Sequence, residues 1–215
     1  NYTTYAFIIG FNHNASVEGA NRIHFQLAKT ALSGGTDVAL CDSYYSSYNN
    51  TGVGFVMNTG NSNLGGWASS NMRTGTCGTS LSSYSSTIIA AIPAALRAVL
   101  KSVTKYTDNT GGGNPSANNV TATTDYFFLL SELEVFGSIS RANPNEASKQ
   151  AQYAYYSAGN SKIKYKHNGT AAAAIWWLRS PSTTTSNVFV DVTTGGTVDI
   201  NIAYYSLGFA PGFCV

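Results

Sequence analysis

The residues able to do chemistry are few and widely spaced. Three histidines, His13, His24 and His167, and three cysteines, Cys41, Cys77 and Cys214, are spread over 215 residues. A hydrolase needs a nucleophile with a partnered base, yet no G-x-S-x-G elbow is present and the three histidines sit in unrelated sequence contexts. His24 falls in the alternating run "RIHFQLA", where it reads as an exposed residue opposite Ile23, Phe25 and Leu27. No CxxC pair occurs, and the cysteines are too few and too scattered for a disulfide framework. A Cys41–Cys77 bridge and buried free thiols both stay open. "GGGN" at Gly111 lacks the strand, the lysine and the helix that a phosphate loop requires. The expectation is therefore a protein that is not an enzyme and has no metal and no cofactor.

Composition points to recognition by uncharged groups. Charged residues make up 10% of the chain and the net charge is +2, with no dense basic stripe, so a nucleic-acid footprint is missing. The densest basic run is "KIKYKH", in which alternation puts Lys162, Lys164 and Lys166 on one solvated strand face, with Ile163, Tyr165 and His167 on the other. Hydrophobic residues at 43% suffice for a real core. No apolar run is long enough for a membrane span, so membrane insertion is not expected. An exterior of Ser, Thr, Asn, Gly and Tyr suits an extracellular or virion protein. The chain opens on Asn1 with strand-like sequence almost at once, which reads as a processed product or the terminal piece of something longer.

Elements that would carry such a surface can be read along the chain, and one domain over residues 1–215 is expected. "YAFIIGF" reads as a largely buried strand, and "RIHFQLA" as a second. Trp67, Asn71 and Met72 share a helical register. Pro93 opens a short helix with Leu96, Val99 and Leu100 as its apolar stripe. Lys105 to Asp125, with three consecutive glycines and a proline, reads as a long loop before the strand "YFFLL". Ser131 and Glu134 form a capping box closed by Gly137. "ASKQAQYAYYSAGN" reads as a short helix, and "IKYK" and "AIWWLRS" as strands. "NVFVDV" and "TVDINIAYY", joined through "TTGG", have the pattern of a β-hairpin.

The phrases "FLLSELEVFG", "IPAALRAVLKSVTKYT", "KIKYKHNG", "WWLRSP" and the terminal "LGFAPGFCV" resemble a domain of otherwise unknown function common in gut bacteria and their phages. Members of that group include variable proteins of diversity-generating retroelements. The resemblance implies an α+β, C-type-lectin-like fold in the elaborated form shared with formylglycine-generating enzyme, with short helices and small antiparallel sheets. It also implies that the strand around Phe7 to Phe11 lies close to the closing "GFAPGFCV". In such proteins adenine-directed mutagenesis changes AAY codons near the 3′ end of the gene. Codons so altered cannot encode Lys, Glu, Gln, Met or Trp, and residues 182–209 contain none of these five.

The family pattern then assigns two roles. Trp176, Trp177, Leu178, Arg179, Pro181, Gly208, Pro211, Gly212 and Phe213 match the framework, with Arg179 paired to buried carbonyls or to a carboxylate. The candidate ligand contacts are Thr183, Thr184, Thr185, Asn187, Phe189, Asp191, Thr193, Thr194, Thr197, Asp199, Asn201, Tyr204, Tyr205, Leu207 and Phe209. Tyr204, Tyr205 and Phe209 are the expected aromatic anchors. Alternation requires that some of the fifteen point inward. The EPN-like and WND-like tripeptides of calcium-dependent sugar lectins are missing, and "NPNE" from Asn143 reads as an ordinary Asn-Pro turn. A formylglycine-generating enzyme uses a cysteine pair, and only Cys214 lies in the terminal framework. What the resemblance implies is a ligand-binding module with a diversifiable surface, at the receptor-binding end of a phage tail fibre or on a bacterial surface adhesin. Its expected partners are a cell-surface protein or glycan receptor and the rest of a larger fibre or adhesin, with a homo-oligomer, a trimer in a fibre, among the expectations. The alternatives are a structural virion or cell-surface subunit and, more remotely, an enzyme of the formylglycine-generating type.

Overall fold

A computed structural model describes residues 2–30, 35–46 and 50–215. The strands, in chain order, are β1 (Tyr5–Phe11), β2 (Ile23–Lys29), β3 (Val38–Ala39), β4 (Val103–Asp108), β5 (Val120–Asp125) and β6 (Phe127–Phe128). They continue with β7 (Lys164–Lys166), β8 (Gly169–Ala174), β9 (Trp176–Pro181), β10 (Val188–Val192), β11 (Val198–Ile202) and β12 (Gly212–Cys214). Helices are one turn or little more: α1 (Ala15–Glu18), α2 (Gly66–Ser69), α3 (Ile88–Ala91), α4 (Ala94–Arg97), α5 (Glu132–Phe136) and α6 (Ala154–Ser157). A π-helical stretch, Met72–Cys77, follows α2. The class is mixed α+β, with short helices and several small, mostly antiparallel sheets.

The sheet in the order β1-β2-β12-β6 holds both ends of the described chain. The terminal β12 pairs with β2 through Phe213↔Phe25 and with β6 through Phe213↔Phe127. The segment around Phe7 therefore shares a sheet with the closing segment, with β2 between them. Being an edge strand, β1 is mostly exposed, Tyr5 at 54% and Phe11 at 67%, and only Ile9 and Gly10 are buried. That corrects the reading of "YAFIIGF" as a largely buried strand. The face of β2 is inverted as well. His24, Gln26 and Ala28 point into the protein, while Ile23, Phe25 and Leu27 are half-buried. The inversion is sustained by partners: Gln26 donates to Ala210 O at 2.9 Å and accepts from Tyr156 Oη at 2.6 Å.

Two further expectations change because polar residues here lie inside, with hydrogen-bond partners at Asp125 and against aromatic rings at Lys164, whose ammonium has no hydrogen-bond partner among the described residues. Residues 105–125 form an antiparallel hairpin of β4 and β5, registered from Val103↔Asp125 to Asp108↔Val120, with the Gly-Asn-Pro stretch as its turn. Thr and Val side chains favour the extended backbone, and buried Asp125 takes Trp67 Nε1, Arg73 Nε and Thr123 Oγ1. Lys164 is buried, not solvated. Its ammonium lies 5.1 Å from the ring centroids of both Phe7 and Trp176, and burial lowers its pKa to about 8.

The local helix signals behave unevenly. The Ser131 capping box is present in both halves, and Gly137 at φ 74° ends α5. The helix after Pro93 lasts one turn, so Val99 is 53% exposed while Leu100 is buried. The run from Ala147 splits between a 3₁₀ turn at Pro144–Ser148 and α6. All three cysteines are buried and free, which closes the question of a Cys41–Cys77 bridge. The hairpin β10–β11 is paired throughout, from Val188↔Ile202 to Val192↔Val198. No described helix is long and apolar enough to cross a membrane.

Candidate functional site

The hairpin stands on a buried frame. Trp176 Nε1 donates to Lys162 O at 3.0 Å and Trp177 Nε1 to Phe55 O at 2.9 Å, so neither indole is left with an unspent donor. Arg179, wholly buried, forks onto both carboxylate oxygens of Glu134 and also donates to Thr107 Oγ1 at 2.8 Å and Leu129 O at 2.9 Å. Its pairing with a carboxylate and a buried carbonyl is the one the family pattern assigns.

Five of the fifteen candidate contacts belong to the interior. Phe189, Asp191, Asn201, Leu207 and Phe209 are buried, Phe209 at 1% exposure and stacked on Phe55. Strand alternation alone does not sort them, because all five residues of β10 are buried. In the register of β10 and β11, Phe189 faces Asn201 and Asp191 faces Asp199; on that shared side Phe189, Asn201 and Asp191 pack inward, while Asp199, next to the turn, is exposed. Asn201 Nδ2 donates to Asp191 Oδ2 at 2.8 Å, while Asp191 Oδ1 has no hydrogen-bond partner among the described residues. Burial raises the Asp191 pKa to about 7. Phe209 cannot serve as an anchor from its place in the core.

The remaining ten separate into two groups at opposite ends of the hairpin. Thr193, Thr194, Thr197 and Asp199 occupy the β10–β11 turn and its flank, where Thr193 and Thr197 side chains meet at 2.8 Å. Thr183, Thr184, Thr185, Asn187, Tyr204 and Tyr205 lie at the other end, joined where Ala203 N donates to Asn187 O at 2.9 Å. Tyr204 and Tyr205 pack edge to face there, both half-buried.

A residue outside the run shapes that second end. Asn63, fully buried, donates through Nδ2 to Thr185 O and Val188 O, each at 2.9 Å, and its Oδ1 accepts from Gly112 N at 2.8 Å. Its own amide donates to Ser186 O at 2.8 Å. The backbone of the loop is thus held from beneath, while Thr184, Thr185 and Ser186 point outward. Gly111 is required at the crossing: at φ 66°, an added Cβ would sit 2.1 Å from Asn63 O. Asn61 accepts from Asn187 Nδ2 at 2.9 Å, which ties the 58–64 loop into the same surface.

A second polar cluster lies under the N-terminal hairpin. Lys105 Nζ donates to Glu18 Oε2 at 2.7 Å, Glu134 Oε1 at 2.8 Å and Tyr153 Oη at 2.9 Å, which uses all three of its protons. His13 stacks on Tyr153, and His24 Nδ1 lies 3.1 Å from the same hydroxyl, so two of the three histidines share one environment after all. Burial, reinforced by Lys105, lowers the pKa of both to about 3. Burial raises Glu18 to about 7. For Glu134 burial acts upward too, but Arg179 and Lys105 outweigh it and hold the carboxyl below its ordinary range. Ligand atoms of His13, Glu18 and Glu134 lie within 4.8 Å of one another, close enough to hold a metal ion. The ammonium of Lys105 already stands between the two carboxylates, so the donor set does not fit a resident cation.

Residues 48–215, well over half of the chain, match the family model for a domain of unknown function, DUF6273. The chain belongs to that family. No curated protein and no solved structure matches it. The DUF6273 match takes in the frame, the hairpin, Asn63, Lys105 and Glu134, whereas β1, α1 and β2 lie before it. This DUF6273 chain therefore completes its buried ion network with Glu18 from outside the matched region. In "NPNE", Asn143 caps a turn, as expected of Asn-Pro, but it is also buried, donating to Asp108 Oδ2 at 2.7 Å.

Proposed function

We propose that this DUF6273 chain is a recognition module, in which the 183–187 loop with Tyr204 and Tyr205 presents exchangeable side chains on a fixed backbone. The observation that carries the reading is the buried clamp of Asn63 beneath a loop whose Thr184, Thr185 and Ser186 are exposed. A loop whose carbonyls are held from the inside keeps its shape when its outward side chains change, and the ordering entropy of binding stays low. The α+β arrangement is in keeping with a C-type-lectin-like fold of the elaborated type, and the residue content of 182–209 with a variable region written by a diversity-generating retroelement. On this reading the protein works outside the cell, at the end of a phage tail fibre or on a bacterial surface, against a cell-surface protein or glycan. The turn group of Thr193, Thr194, Thr197 and Asp199 lies at the far end of the hairpin and takes no part in the same contact.

One observation favours a structural subunit instead. Tyr5, Ile8 and Phe11 are exposed on the edge strand β1, a surface suited to a neighbouring subunit. The two readings separate on simultaneous replacement of Thr183, Thr185, Asn187 and Tyr204 by other NNY-encodable residues. Recognition requires that the melting temperature hold and that adsorption to the host cell change. Unchanged adsorption with an intact fold would transfer the function to the subunit reading.

A further inference from the structure

Between Leu40–Asp42 and Phe55 on one side and Ile88, Ile92 and Pro93 on the other lies a cleft of about 690 Å³. Its size is within the roughly 300 to 1,000 Å³ of small-molecule sites. Leu40, Phe55, Ile88 and Ile92 line it while only half-buried, so apolar surface is left open to solvent there.

The polar groups on its wall are nearly all spent. Asp42 Oδ1 accepts from Tyr44 N at 2.8 Å and Ser206 Oγ at 2.9 Å, and Oδ2 accepts from Phe55 N at 2.6 Å. Its carboxylate is thus committed to its own loop, and its charge disfavours an anionic guest. The Cys41 thiol is directed at Ala39 O. His167 differs. Its Nδ1 accepts from Cys41 N at 2.9 Å, which puts the ring proton of the neutral imidazole on Nε2. Protonating Nδ1 would break that bond, and burial acts in the same direction on the ring. Among the described residues Nε2–H has no acceptor. The cleft therefore combines an apolar body with one oriented donor, supplemented only by the hydroxyl of exposed Tyr2, whose ring packs edge-on to His167 at 4.8 Å.

We infer that this cleft is a binding site for a small, uncharged, apolar molecule carrying a single hydrogen-bond acceptor, such as an aromatic ketone or ester, received by His167 Nε2–H. The inference is independent of the hairpin reading, since none of the exposed hairpin contacts lines the cleft. The test uses two nearly isosteric probes, 2-acetylnaphthalene and 2-isopropylnaphthalene, with Kd taken from ligand-observed NMR. The wild type should bind the ketone about tenfold more tightly, the worth of one added hydrogen bond at the upper end of its range. His167→Phe should bind both alike, and Ala91→Trp, at the exposed rim, should bind neither. Should His167→Phe fail to fold, the wild type still decides: its Nε2–H resonance must shift with the ketone and stay put with the hydrocarbon. Absence of binding to the wild type, equal affinity for the two probes, or a preference that survives in His167→Phe would overturn the assignment.

Discussion

Replacing Asn63 by Ala tests the clamp on which the recognition surface depends. The substitution removes the Nδ2 donor to Thr185 O and Val188 O and the Oδ1 acceptor for Gly112 N. A buried polar group left without a partner costs about 1–3 kcal/mol. Val188 O keeps a second donor, Ser182 N at 3.1 Å, while Thr185 O and Gly112 N lie at partly buried positions that water can reach. Three reduced penalties give about 1–3 kcal/mol, still a sizeable share of the stability of an ordinary domain. Urea unfolding should show this as a lower midpoint with an unchanged slope. Thr184→Ala, on the exposed side of the same loop, should stay within about 0.5 kcal/mol. Native-state hydrogen exchange supplies the local readout: the Gly112 amide should lose protection in Asn63→Ala and keep it in Thr184→Ala. Asn63→Asp adds a sign check. It restores the acceptor for Gly112 but turns a carboxylate towards carbonyl oxygens, so its folded pKa must lie above the unfolded value of about 3.9. Its stability relative to Asn63→Ala should fall as pH rises through that raised pKa. A loss below about 1 kcal/mol in Asn63→Ala, or an unprotected Gly112 amide in the wild type, would refute the clamp.

Asp191→Asn should gain on the wild type as pH rises, because burial puts the Asp191 pKa at about 7 in the folded protein. A folded pKa above the unfolded value means that the stabilisation by this group is complete below about pH 4 and lost through pH 7, so the difference in melting temperature should open across that window and vanish below it. Zinc should leave the melting temperature of the wild type unchanged, since Lys105 occupies the space between Glu18 and Glu134. In Lys105→Met, the freed carboxylates and His13 should make it rise with added zinc, and a wild type stabilised by zinc would show that the ammonium yields to a metal.

The parts that were legible in the sequence are those whose cause is local. Ser131 and Glu134 are three residues apart and complete a capping box between themselves. "TTGG" closes a hairpin that its flanking β-branched residues already favour. The aromatic and proline content of "WWLRSP" marks a buried strand whatever its partners. What escaped the sequence has partners far along the chain. Alternation assigns His24 and Lys164 to solvent, because it treats a polar residue as an outward one. The rule fails wherever a polar residue finds its match inside, as His24 does with Tyr153 across 129 positions. Asn63 reaches Val188 across 125 positions, and nothing in "GNSNLGGW" distinguishes it from the neighbouring Asn61, which is exposed.

The same contrast explains how the chain can hold a sparsely charged exterior over a highly charged interior. Only 10% of its residues are charged, yet Glu18, Lys105, Glu134 and Arg179 are all buried in one network. Removing one partner from such a network leaves an uncompensated charge, at a cost of about 3–5 kcal/mol. Its members come from α1, β4, α5 and β9, so each constrains the placement of elements that make few other polar contacts with one another. Arg179 belongs to the strand that pairs with β10, and through it the network is continuous with the frame of the hairpin. A surface left free to change its side chains needs its geometry determined from below, and here that determination comes from ions and buried amides the solvent does not reach.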